Sequence, residues 1–350
     1  MNKVLYMHRD RAAVITTYGG LLIVKVLVTG GAGYIGSTIC SALEDNGHIP
    51  VIIDSLITGN KAFTEKKIFY QADISDSKAL KSIFHDHQDI EAIIHCAALI
   101  VVPESVQKPY RYYHENVSKS LELFKFASDS GIKVIFSSTA AVYESSATQM
   151  VTEESPLGPD SPYARTKMAL EMALLDFSIA YGMRAISLRY FNPIGADPKM
   201  RSGPSADSPT HILGKLLSIH QGEESAFKIA GVDWPTRDGT ALRDYIHVWD
   251  LAEAHIKTLE LFDNLVTEEN PYSIINLGSG QGTTVLEFLE AFEEVSGTEI
   301  KRINGYARPG DTAGAYANGD NAWNKLAWKP RMSIEQGIAD AIKWNKKLSL

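Results

Sequence analysis

At 350 residues, 45% hydrophobic and 22% charged, the chain has the make-up of a folded globular protein, long enough for two lobes or one large α/β domain. Its formal charge of −8, with no basic cluster, argues against a nucleic-acid surface. No apolar stretch reaches membrane-spanning length, and Cys40 and Cys96 lack C-x-x-C spacing, so they read as reduced core thiols and not as a disulfide or a metal site.

Residues 1–23 carry scattered charges without the basic, apolar, small-residue order of a secretory signal. They read as an extension or a non-native start, and the chain as cytoplasmic. From Val24 the sequence runs V-K-V-L-V-T-G-G-A-G-Y-I-G, a β-branched strand breaking into glycines at 30, 33 and 36. Gly30 suits a tight turn, Gly33 lets backbone approach a pyrophosphate, and Gly36 lets a helix lie close on the sheet. The N–H groups near Tyr34 and Ile35 would then face the anion. A second apolar run ends at Asp54, placed to accept from ribose hydroxyls, and no arginine follows at Ser55, Leu56 or Ile57 to welcome a 2′-phosphate. That pattern selects NAD over NADP. Asp73 follows the strand-like Lys67–Gln71, where an adenine contact and a loop cap are equally good readings.

Strand patterns continue at Ala92–Cys96, Lys133–Ser137 and Arg184–Arg189, separated by amphipathic stretches Ile35–Asn46, Ser77–His87 and Asn116–Ser130. This alternation predicts a doubly wound parallel sheet, a Rossmann-like α/β fold, over residues 24–193. Ligands gather at the carboxyl ends of such strands, which makes Ser55, Ile74, Ala97 and Tyr190 candidate cofactor contacts. After Pro193 the rhythm changes: residues 195–240 are rich in Gly, Pro, Asp and Ser, and later come a strand at Tyr272–Leu277 and helices at Thr284–Ser296 and Ile334–Lys346. Residues 194–350 are expected to form mainly a smaller α/β lobe over the cleft, with some segments crossing back.

The chemistry is carried by Tyr163-Ala-Arg-Thr-Lys167, whose first and last side chains share one helical face. A phenol with a pKa near 10 is a poor base at neutral pH, and an adjacent ammonium with a positive nicotinamide ring should draw it down. Ser137-Ser138-Thr139 follows a strand end, and a hydroxyl there, best at Thr139, can relay between Tyr163 and a sugar oxygen.

These residues give the chain its likeness to known enzymes. T-G-G-A-G-Y-I-G (29–36), H-C-A-A (95–98), S-S-T-A-A-V-Y (137–143) and S-P-Y-A-R-T-K (161–167) resemble the extended short-chain dehydrogenase/reductases. R-Y-F-N-P-I-G-A (189–196), D-G-T-A-L-R-D-Y-I-H-V (238–248) and R-P-G-D (308–311) narrow the resemblance to the UDP-glucose 4-epimerases within them. The resemblance implies tightly held NAD, Tyr163 as base, Lys167 and Thr139 beside it, and Asn116 near the cofactor. It implies UDP contacts at Asn192 and His211, diphosphate contacts at Arg243 and Arg308, and a uridine-ribose contact at Asp311. It also implies a homodimer built on Pro109–Ser130 and Ser161–Tyr181, although Leu170, Met172, Leu174 and Leu175 equally suit a core helix.

There are departures too. Ile100 stands where many relatives place a lysine, Glu144 where glycine is common, and His211 where asparagine is frequent. Alignment puts Ala315 where the size of a residue limits the sugar, which implies room at carbon 2 and turnover of UDP-N-acetylhexosamines; a one-residue slip would put Tyr316 there. A 4,6-dehydratase would need an acid/base pair beside Thr139, but Ala140-Ala141 follow. A decarboxylase, a UDP-glucuronate 4-epimerase and a non-catalytic NAD sensor complete the alternatives.

Overall fold

The computed structural model describes residues 2–8, 11–18, 21–144, 149–204, 211–307 and 311–348, with backbone alone for 2–22. A seven-stranded parallel sheet forms the centre. Its strands are β1 (Lys25–Thr29), β2 (Ile49–Asp54), β3 (Ile68–Gln71), β4 (Ile90–His95), β5 (Lys133–Thr139), β6 (Ala185–Tyr190) and β7 (Tyr272–Leu277). The spatial order is β7-β6-β5-β4-β1-β2-β3. The chain moves outward from β1 through β2 to β3, then returns to build on the other side of β1. Strand order therefore reverses between β1 and β4, and the loops leaving those two strands face each other across the crevice where such folds bind nucleotides.

Both faces of the sheet are covered, which is why its strands read as unbroken apolar runs. Val26 and Val28 of β1 pack into one core with Ile39 and Leu43 of the helix Tyr34–Asp45, while Leu27 joins Val51, Leu123 and Phe124 on the opposite face. The strand Tyr272–Leu277 pairs with β6, so the sheet gains its last strand from well beyond Pro193.

A smaller α/β lobe covers the carboxyl ends of the strands. It contains a three-stranded sheet (Asn192–Ile194, Leu242–His247, Gly282–Thr284) and a parallel pair (Phe227–Ala230, Arg302–Gly305). Its own core joins Leu216, Tyr245, Phe288, Phe292 and Ile338. The turn-rich composition of 195–240 conceals the helix Ile212–His220, and the motif at 238–248 contains the buried strand Leu242–His247. No helix among the described residues is long and apolar enough to cross a membrane.

Candidate active site

The loop after β1 is shaped by its glycines. Gly30 has φ of +68°, and a Cβ there would lie 2.7 Å from the Ala97 nitrogen. At Gly36 a Cβ would approach the Gly30 carbonyl oxygen to 2.2 Å, a contact that excludes any side chain. Gly33 is less tightly held: its nearest neighbour would be Gly30 O at 3.2 Å, so a methyl there requires a small shift of that carbonyl and not a clash of the kind met at Gly36. Gly33 is the N-cap of the Tyr34–Asp45 helix, which has no side-chain cap and no acidic residue in its first turn. Backbone N–H groups with the positive helix end, left clear by a residue without Cβ, form a cradle suited to a pyrophosphate.

Asp54 braces this cradle, accepting from Ala32 N–H at 3.0 Å and Leu56 N–H at 2.8 Å. Ser55 follows it at the strand end. Asp73 caps its own loop through the Ser75 N–H and hydroxyl and pairs with Lys119 at 2.6 Å. Burial acts to raise its pKa, but the bonds from Lys119 and Ser75 outweigh this and hold the carboxyl below its usual range. Ile74 beside it is buried. Asn116 is fully buried within a π-helical turn, Tyr113–Ser118, and its amide is spent on the protein. It brackets Leu99 through N–H and C=O at 2.8 and 3.0 Å and reaches Thr166 Oγ1 at 3.2 Å. It thereby ties the loop that carries Ala97 to the Tyr163 helix. Tyr34 bonds the Gly195 carbonyl at 2.6 Å, joining the cradle helix to the second lobe.

Thr139, at the end of β5, and Tyr163, in the first turn of the helix Pro162–Tyr181, come close enough for the threonine hydroxyl to favour the phenolate, while Thr139 Oγ1 accepts from the Ala141 N–H at 3.2 Å. Pro162 at N1 and Ser161, which accepts from Ala164 N–H at 3.1 Å, set where that helix starts. One turn on, Lys167 donates to the Ser137 carbonyl at 2.7 Å and lies 4.8 Å from the Phe136 ring centroid. Of the two expected sources of acidification, Lys167 does not act on Tyr163. Burial pushes the phenol up to about 12, and only the Thr139 hydroxyl opposes it. The Lys167 ammonium is turned to Ser137, and burial lowers it to about 8 despite Cys96 and Glu171. The protein alone thus keeps the phenol protonated. Tyr190, buried beside Cys96 and Ser137, closes this side of the cleft.

Sequence reading missed what lies beneath these residues. Glu171, one turn beyond Lys167, accepts from Ser138 Oγ and makes a bidentate pair with Arg189, with Nε–Oε1 at 2.9 Å. Arg189 also donates to Tyr143 Oη at 3.0 Å, and Tyr143 donates to Asn276 Oδ1 at 2.6 Å. Arg189 is 1% exposed. The strand carrying Thr139, the helix carrying Tyr163, β6 and β7 therefore meet on one buried ion pair. Its signal was the arginine of R-Y-F-N, placed inside an otherwise apolar strand.

In the smaller lobe, Asn192 lies half-buried on the strand paired with Tyr245–His247. Arg243 bonds Leu242 O at 2.6 Å and Thr312 O at 3.3 Å, which brings it beside the loop of Asp311. His211 N-caps the helix Ile212–His220 by accepting from Gly214 N–H at 3.3 Å. Arg308 lies outside the described residues. Ala315 packs against the cluster of Val142, Tyr143 and Phe191, whereas the Tyr316 ring turns towards Gly282, where a Cβ would come within 2.9 Å of it. Ile100 is 62% exposed.

Residues 26–278 match the NAD dependent epimerase/dehydratase family. The chain belongs to that family. A UDP-glucose 4-epimerase of Bacillus subtilis (strain 168) is 40% identical over 330 residues, 91% of this chain and 96% of the relative. Among solved structures of the epimerase family, the UDP-glucose 4-epimerase of Stenotrophomonas maltophila, with bound NAD and formylated UDP-arabinopyranose, superposes with a TM-score of 0.88 at 36% identity. That match covers 93% of this chain and 99% of the other. The UDP-Glc/GlcNAc 4-epimerase of Campylobacter jejuni gives a TM-score of 0.78 at 34% identity, over 93% and 99%. The cofactor of this family member is NAD, and the glycine cradle fits it.

Proposed function

We propose that this protein interconverts UDP-glucose and UDP-galactose by inverting carbon 4 of the sugar through a 4-keto intermediate. The observation that carries this reading is the meeting of Thr139, Tyr163 and Lys167 at the strand ends, beside an uncapped, glycine-lined helix N-terminus. When bound, NAD supplies a hydride acceptor for carbon 4, later the hydride donor, and a positive charge that favours the Tyr163 phenolate. Tyr163 accepts the proton of the 4-hydroxyl as the carbon 4 hydrogen leaves with its electron pair. Thr139 holds the sugar oxygen and phenol in line. Once the ketone presents its other face and hydride returns, Tyr163 gives the proton back to oxygen 4, so protons and electrons balance over the cycle. Lys167, fixed on Ser137 O, keeps a positive charge beneath the site.

Asn192 and Arg243 are the described residues best placed to hold the nucleotide diphosphate, with Asp311 beside Arg243 for the ribose. The backbone of Ser55 and Ile74 would line the adenosine end, with Asp54 at its ribose, and Ala97 and Tyr190 the nicotinamide end. A dehydratase is disfavoured because Ala140 and Ala141, in the turn that Thr139 caps, can transfer no proton. The Ala315 side chain towards Val142, Tyr143 and Phe191 supports a second activity on UDP-N-acetylglucosamine. Denaturing the purified protein should release stoichiometric NAD, and the native protein should convert UDP-galactose with no added cofactor. Absence of both would end the epimerase reading. Initial rates on both sugars test the wider pocket, and a rate on UDP-glucose alone would remove it.

The working unit is proposed to be a cytoplasmic homodimer. Leu170 and Leu174 are buried in the core, but Met172, Leu175 and Ile179, spaced along one helical face, are exposed, Ile179 by 74%. Met172→Lys with Ile179→Asp should sediment as a monomer where the parent does not; a dimeric variant would discard this face.

A further inference from the structure

Asp244 follows Arg243 on the strand Leu242–His247 and is fully buried. Its Oδ1 accepts from the Ser279 N–H at 2.7 Å and hydroxyl at 2.6 Å, and its Oδ2 from Gly280 N–H at 3.1 Å and Ala317 N–H at 3.0 Å. A carboxylate removed from water needs such donors, and here every one comes from two segments remote in sequence. One is the turn after β7; the other is the short strand Tyr316–Ala317. The fit is close enough that a Cβ at Gly278 would lie 2.4 Å from Asp244 Oδ2 and 2.7 Å from Ala317 Cβ.

The strand Tyr316–Ala317 is held along both edges. Tyr316 N–H and Asn318 N–H bond Gln149 O and Val151 O at 2.9 and 2.8 Å, while Ala317 N–H points the other way, to Asp244. We propose that Asp244 is the positioning residue for sugar specificity: its carboxylate latches this strand in the register that directs Ala315, and not Tyr316, to the sugar. The inference rests on the epimerase reading above. Successive strand residues face opposite sides, so a one-residue slip exchanges a methyl for a phenol. The motif's arginine would then meet the diphosphate while its neighbour sets the room at carbon 2.

Asp244→Asn tests this, because an amide offers one acceptor oxygen and turns an NH2 towards an N–H donor. The readout is the competitive inhibition constant of UDP-N-acetylglucosamine divided by the KM for UDP-glucose, which needs no turnover of the acetylated sugar. Bound NAD and thermal midpoint report the integrity of the fold. The ratio should rise roughly tenfold in Asp244→Asn, the scale of one misfitted group in a pocket, and fall back in Asp244→Asn with Tyr316→Ala. An unchanged ratio in a folded, NAD-containing variant overturns the latch. Should Asp244→Asn not fold, Ser279→Ala removes one donor to Oδ1, and the ratio should rise less but in the same direction; no rise overturns the proposal equally. Failure of the parent protein to convert UDP-glucose would instead sink the epimerase reading.

Discussion

The cofactor end and the sugar end of the cleft are held by contacts of different range. At the cofactor end, Gly33 and Gly36 are constrained by Gly30 and Gly31 within the turn between β1 and its helix, and Gly30 alone meets a remote residue, Ala97. At the proposed sugar end, the strand Tyr316–Ala317 that follows Ala315 is held by Asp244, seventy-three positions from the Ala317 N–H it accepts, and by the Gln149 carbonyl. Between them, Thr139, Tyr163 and Lys167 stand on a buried pair, Glu171 and Arg189, drawn from a helix and a neighbouring strand. Local rules build the part that is common to many chemistries; long-range bonds build the part that selects one.

The largest effect should come from the centre itself. Tyr163→Phe removes the phenol proposed to exchange a proton with oxygen 4, and kcat should fall by about 10³-fold, within the usual range for general acid–base catalysis. Bound NAD should be kept, since the cradle is untouched. Loss of NAD together with activity would mean that the two ends are not separable in this way.

Arg189→Met comes next. It leaves the Glu171 carboxylate buried without its cation, a change that costs about 3–5 kcal/mol where such pairs are broken. Denaturant unfolding measures it, and a loss below about 1 kcal/mol would show the pair to be relaxed by water, as exposed pairs are. The glycines then sharpen the contrast within one loop. Gly36→Ala forces a methyl into the Gly30 carbonyl and should cost about 1–3 kcal/mol as overpacking. Gly33→Ala, with a nearest contact of 3.2 Å, should cost less stability than Gly36→Ala but reduce retained NAD. Equal losses of stability in both variants would deny Gly33 its role as the ligand's clearance.

These differences also explain what could be read from the residues in order. Strand–helix alternation, the glycine turn, Asp54 and the Tyr163–Lys167 pair are local patterns, and they led to the Rossmann-like sheet and the NAD cradle. The strand Leu242–His247 was not legible, because its charged members Arg243 and Asp244 break the apolar pattern that marks a buried strand; one is bonded to backbone carbonyls and the other to four donors from elsewhere. The use of Asn116 was equally hidden, since nothing near it in sequence announces Leu99 or Thr166 as partners. That Lys167 lends Tyr163 no acidity was hidden for a third reason. Spacing brings Lys167 to the same helical face but says nothing of the Ser137 carbonyl that takes its proton donor.

That last point yields the smallest expected effect and the most direct check on the centre. Burial lowers Lys167 to about 8, whereas an unfolded lysine titrates near 10.4. Between those values the unfolded chain binds more protons than the folded one, so this group makes stability rise with pH. Below pH 8 both states are charged and the cost of burying the ammonium is constant; above about pH 10 the cost is gone. Tyr163 contributes with the opposite sign, but only above about pH 10, because its folded value is raised to about 12. The unfolding free energy of the parent protein minus that of Lys167→Met should therefore climb from pH 8 to 10, on the order of 1 kcal/mol per unit. A flat difference would place the ammonium in contact with water or a carboxylate and not on the Ser137 carbonyl. The long-range bond would then be no part of the catalytic centre, and the contrast with the glycine turn would lose its middle term.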